Sequence, residues 1–154
     1  MKTKNALFTF DATGGKAIGT HVIGRLPSGA RIVNAWYEVL TTFTTASSDA
    51  GTIALTTGKD AGDLVAALAV SNAANIWDAG IKSTKVPYGA ALSAAADSTY
   101  AADPEGNAIN YAMKAFERGT PNYITLTADS DVAVVIAGQD VTAGKLVLHV
   151  EYVK

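Results

Sequence analysis

The chain has 154 residues, with 12 Lys and Arg against 14 Asp and Glu and no cysteine. A single domain of this length removes about 70% of its unfolded surface from water on folding, and the missing thiols exclude a disulfide framework, a thiolate metal site and a cysteine nucleophile together. A net charge of −2 with scattered basic residues argues against nucleic acid as a partner, because such binding rests on clustered Lys and Arg that neutralise phosphates.

Only 17% of residues are charged and 49% are hydrophobic, with Ala, Thr, Gly and Val prominent. Low charge with small residues is a composition found in β proteins that assemble. The start, MKTKNALFTFDATGG, is too short and too polar for a signal-peptide core, and no run of about 18 apolar residues exists to span a membrane. The expectation is a soluble protein made without a secretion signal, with no membrane partner.

Taken in order, residues 5–10 read as a first strand with Leu7 facing opposite to Phe8 and Phe10. Residues 1–10 can serve as an N-terminal arm or an edge strand. Asp11-Ala-Thr-Gly-Gly15 breaks the strand, and residues 17–26 form a second, with Gly19 and Gly24 marking bulges or close backbone approach. Pro27-Ser28-Gly29 is a tight turn, so a hairpin with the next strand is expected.

That next strand, residues 30–43, is the longest stretch favouring an extended backbone. Alternation places Val33, Ala35, Tyr37, Val39 and Phe43 on one face. Asn34, Glu38 and Thr42 mark the other, which also carries Ile32, Trp36 and Leu40. A wet face holding a Trp and two aliphatics is one that a loop, a neighbouring subunit or a ligand partly covers.

A polar loop, residues 44–51, leads to a strand over residues 51–57 with Ile53 and Leu55 on one face. Asp63 is placed to cap a short helix over residues 64–70, whose alanines are good helix formers and poor strand formers, although a buried strand is the alternative. Residues 71–80 are irregular, with Trp77 plugging one end of the core. The Pro and Gly of residues 85–95 leave an edge strand or an extended crossing there. Residues 96–119 combine a turn-rich loop with Ile109, Ala112, Met113 and Phe116 at helical spacing, which reads as a short helix or a distorted strand.

The last third predicts strands over residues 122–128, 131–137 and 145–154, the last after a turn at 138–144. Many short strands with Gly, Thr, Ser and Asp turns define the fold class as mainly β: one antiparallel β-sandwich or jelly-roll-like domain with one or two short helices.

Candidate chemistry is sparse. His21 and His149 lie far apart with no third partner proposed by any motif. Gly14 to Gly19 gives G-x-x-x-x-G, but Thr20 stands where a phosphate loop requires Lys. Asp129 with Asp131, and Asp97 with Asp103 and Glu105, supply too few oxygens for calcium and lack its closing Glu, so ordinary turns are the better reading. No pair of carboxylates is singled out for glycoside hydrolysis and no G-x-S-x-G elbow exists. No catalytic residue, metal ligand or cofactor site is expected. Trp36, Trp77, Tyr88, Tyr100 and Tyr123 can be core, a sugar platform or a subunit interface.

The ordered segments LPSGARIVNAWYEVLTTFTTASSDAGTIALTTG from Leu26, IWDAG from Ile76 and the terminal VTAGKLVLHVEYVK resemble a group of small virion structural proteins of tailed bacteriophages. The shared order is a Pro/Gly loop, a long Y-x-V strand, a Thr/Ser/Asp loop, a T-I-A-L strand, a W-D-x-G turn and a T-A-G-K-L strand ending in E-Y. Residues 96–116 depart most from it. The resemblance implies a non-enzymatic capsid decoration (cement) or head-fibre protein on the virion surface. It would be made in the host cytoplasm, and its partners would be the major capsid protein and its own copies, in a homotrimer. The interface residues expected on this reading are Leu7 and Phe8, in a segment that adds a strand to a neighbour, with Trp36 and Leu40. The alternative is a carbohydrate- or receptor-binding module of a fibre or tail.

Overall fold

The computed structural model describes residues 2–87 and 123–154. They form nine strands: β1 Thr3–Asp11, β2 Gly19–Leu26, β3 Arg31–Thr45, β4 Thr52–Thr56, β5 Val65–Ala69, β6 Gly80–Ser83, β7 Ile124–Thr125, β8 Ser130–Ala137 and β9 Val141–Val153. All pairings are antiparallel. One sheet has the order β1-β9-β3-β6, with β7 also on β3, and the other has β2-β8-β4-β5. Leaving the two-residue β7 aside, the chain pairs from outside inwards, first strand with last, second with second-last, β3 with β6 and β4 with β5. This wrapping is that of a jelly-roll sandwich.

The two sheets meet on a continuous apolar core. Phe8, Phe10, Ile32, Ala35, Tyr37, Val39, Phe43, Leu146, Leu148 and Val150 come from the first sheet; Leu26, Ile53, Leu55, Val65, Val132, Val134 and Ile136 come from the second. Trp77 closes one end, as its sequence position suggests. It is fully buried against Tyr37 and Phe43 at centroid distances of 5.6 and 6.1 Å, and its indole N–H donates to the Leu68 carbonyl at 3.1 Å. The Tyr37 hydroxyl donates to the Ile76 carbonyl at 3.0 Å, so both polar atoms brought into the core are satisfied.

Several expectations are corrected. Residues 64–70 form no helix: Val65–Ala69 is strand β5, with Leu68 opposite Ile53 and Val65 opposite Leu55. No helix occurs among the described residues. Burial of Leu64 and Val65 against β4 outweighs the small helix preference of the alanines, because propensity is worth only tenths of a kcal/mol per residue. Asp63 instead closes the preceding turn. Its carboxylate accepts the Thr57 N–H at 2.7 Å, the Thr57 hydroxyl and the Asp60 N–H.

Strands β2 and β3 are not a hairpin. The Pro27–Gly29 turn carries the chain from one sheet to the other, and β3 is flanked by β9 and β6. Likewise the residues after 122 do not pair with those after 130, since β7 lies on β3 and β8 lies between β2 and β4. A register shift between Ile32 and Asn34 turns Ile32 into the core and leaves Val33 half-buried, reversing the simple alternation at the start of β3. The final strand starts at Val141, so the expected 138–144 turn ends four residues early. The reading of residues 85–95 falls largely, and that of 96–119 wholly, outside the described residues.

Candidate docking face

β1 and β6 are the two edges of the larger sheet, and β9 and β3 fill its centre. Inward positions of these strands make the core, so the alternate positions form an outer face whose residues are aligned by register. One row runs Leu7, His149, Trp36, Ser83 across all four strands. The next rows are Thr9, Val147, Glu38, Ile81 on one side and Asn5, Glu151, Asn34 on the other.

The side chains on this face are unusual for a solvated sheet. Leu7 is 62% exposed, Ile81 75% and Leu40 47%. Trp36 is half-buried, with its indole stacked on the His149 ring at a centroid distance of 4.9 Å and an interplanar angle of 5°. A shallow depression beside that stack is lined by Asn5, Leu7, Trp36, His149 and Glu151. Its polar wall is fixed by the Asn34 amide, which donates to the Glu151 carboxylate at 3.1 Å.

At the far end of the face, Lys145 lies 3.6 Å from Asp11. The Asp11 carboxyl is held below its ordinary value by the Thr13 hydroxyl and the Thr13 backbone N–H, with a smaller contribution from Lys145. The other ion pair among the described residues, Arg25 with Asp131 at 2.9 Å, lies on the opposite sheet.

Of the four residues expected at an interface, the structure brings Leu7, Trp36 and Leu40 to this outer face and sends Phe8 inward. Phe8 is buried beside Gly24, where no side chain could fit without displacing its ring. Residues 3–11 run as an edge strand paired within the chain to β9 along their whole length. Ile81, His149 and Glu151 complete the face and were not expected there from sequence, because their membership depends on which strands become neighbours. For Ile81 the only sequence signal was an aliphatic residue directly after the W-D-A-G turn.

The remaining candidates are ordinary structure. His21 lies on the smaller sheet with Nε2 2.8 Å from the Ala17 carbonyl, remote in topology from His149 on the larger. Asp129 accepts the Ser28 N–H at 2.7 Å in a turn and Asp131 pairs with Arg25 across β2 and β8, so both D-x-D carboxylates are committed within the fold. Gly15 donates to the Ala12 carbonyl in a tight turn rather than cradling an anion. Tyr123 lies under the Arg31 guanidinium at 4.5 Å. Among the described residues no three His, Asp or Glu side chains converge on a metal position, and no helix is long and apolar enough to cross a membrane. Tyr88, Tyr100, Asp97, Asp103 and Glu105 lie outside the described residues.

No protein-family model matches the chain, and no curated protein matches it by sequence. Solved structures do match. A chain in the capsid of Ralstonia phage GP4 is 17% identical with a TM-score of 0.55, over 99% of this chain and 84% of that one. A chain of the cyanophage Pam1 capsid asymmetric unit is 14% identical with a TM-score of 0.56, over 97% of this chain and 83% of that one. At such identities the likeness is one of fold: the antiparallel sandwich found here is also built by chains in phage capsids.

Proposed function

We propose that this chain is a structural protein of a tailed-phage virion, seated on the outer capsid surface as a decoration (cement) subunit that stabilises the shell and turns over no substrate. The observation that carries the reading is the correspondence of fold, over nearly the whole chain, with chains in two phage capsids. It agrees with the ordered motifs from Leu26 to Gly58 and from Val141 to Lys154, which resemble small virion proteins. The face bearing Leu7, Trp36 and Leu40 supports the reading further, since exposed apolar side chains gathered on one surface are what an assembling protein needs. On this reading its partners are the major capsid protein and its own copies, arranged as a homotrimer.

The test is to mix the purified protein with capsids of the same virus assembled without it, and to follow co-sedimentation and electron micrographs. Saturable binding at symmetric positions, with a rise in the temperature at which the shell opens, is expected. Absence of binding, together with glycan-dependent binding on an array, would replace this reading with that of a receptor-binding module.

A further inference from the structure

The larger sheet's outer face has a charge pattern that its apolar residues alone do not reveal. Glu38 lies between Val147 and Ile81, and Glu151 lies beside the Trp36–His149 stack. Neither carboxylate has a basic side chain within ion-pair distance among the described residues; the two ion pairs found there are Arg25 with Asp131 and Lys145 with Asp11. Apolar residues reach both edges of the sheet, from Leu7 on β1 to Ile81 on β6, so the two carboxylates share the face with exposed apolar side chains as well as with the polar Asn5, Asn34, Thr9 and Ser83.

We infer that this face docks onto a protein surface presenting arginine or lysine side chains beside an apolar strip, with Glu38 and Glu151 as the groups those cations meet. The inference rests on the virion reading and names the surface and partner chemistry it would use. An arginine suits the site best. Its planar guanidinium can bind a carboxylate through two N–H groups while its stem covers an aromatic or aliphatic neighbour. Desolvation by Leu7, Ile81 and Trp36 strengthens such a pair relative to one in open water.

The same charges disfavour other occupants. On the rows described for this face the basic side chain is Lys145, already 3.6 Å from Asp11, so a second copy placed face to face offers Glu38 and Glu151 no free cation. Nucleic acid is repelled by uncompensated carboxylates.

The experiment compares four proteins for binding to capsids assembled without this chain, over a range of NaCl concentrations. They are the wild type, the double variant Glu38→Lys/Glu151→Lys, the double variant Glu38→Gln/Glu151→Gln, and Val22→Asp on the opposite sheet, where Val22 is 57% exposed. Thermal melts establish that each is folded. Wild type and Val22→Asp should bind alike and lose affinity as salt rises. The Lys pair should bind at least about tenfold more weakly, and the Gln pair should show a flatter salt dependence. Unchanged binding by the Lys pair overturns the assignment of this face while leaving the virion reading intact. So does a change in its oligomeric state with capsid binding unaltered, which would identify a second copy as the occupant. Failure of the wild type to bind at any salt overturns both.

Discussion

Gly144 lies inside β9 with φ of +141°, and a Cβ there would enter the ring of Phe43. Phe43 cannot retreat, because its ring is held against Phe10 and Trp77 in the closed end of the sandwich. Gly144→Ala should therefore cost about 2–4 kcal/mol, from overpacking and from backbone strain together. Urea titration should show a lower midpoint with an unchanged slope; a wild-type midpoint would contradict the packing described. Asp11 gives a different kind of test. The Thr13 hydroxyl and N–H, and then Lys145, favour its ionised form, so its folded pKa lies below the ordinary 3.8. A depressed carboxyl pKa stabilises the fold above the unfolded value, and that contribution disappears as pH falls through the folded one. The gap in melting temperature between wild type and Asp11→Asn should be present at neutral pH and close in acid. A gap that persists or widens in acid would show that these hydrogen bonds do not favour the carboxylate.

At the scale of elements, β5 shows how a correct local inference can give the wrong structure. Ala66, Ala67 and Ala69 do favour helix, but Leu64 and Val65 find a fully buried place only when the segment lies along β4. Ala67 is exposed on this edge strand, so Ala67→Thr separates the two conformations. In a strand the β-branched residue should raise stability by up to about 1 kcal/mol, whereas in a helix it would lower it. The melting temperature decides between them. Strands β1, β3, β4, β8 and most of β9 were legible because alternation and turn residues act locally. The destination of the turn after Leu26 was not, since a Pro-Ser-Gly bend serves a hairpin and a sheet-to-sheet crossing equally well. The register shift at Ile32 was hidden for a similar reason: a bulge is set by the partner strand.

For the whole molecule the pairing order is dominated by contacts between residues distant in sequence. Thr3 lies opposite Val153, and β2 waits for β8. Loop closure on this scale must precede most of the stabilising contacts, so refolding is expected in the millisecond-to-second range, as for other non-local β folds. Stopped-flow fluorescence of Trp77 and Trp36 measures this; refolding within microseconds would be incompatible with the topology. The same non-locality limited what could be read of the larger sheet's outer face. Leu7, Trp36 and Leu40 could be chosen from alternation alone, but the neighbours that make them a surface, His149 from β9 and Ile81 from β6, are supplied by topology. Phe8, expected at an interface in a segment read as an arm or an edge strand, faces inward. Once β1 is paired to β9, alternate residues must enter the core.

The in-register pairing of β1 with β9 has a mechanical consequence. Thr3 and Val153 meet at one corner of the sheet, and the bonds between the two strands run across the strand direction. A pull applied at these two ends would load the bonds one at a time from that corner, peeling the strands apart as a zipper opens. Force entering through the broad face of the sheet would instead be shared by every strand at once. The sandwich is thus weak against tension between its ends and strong against load on its face.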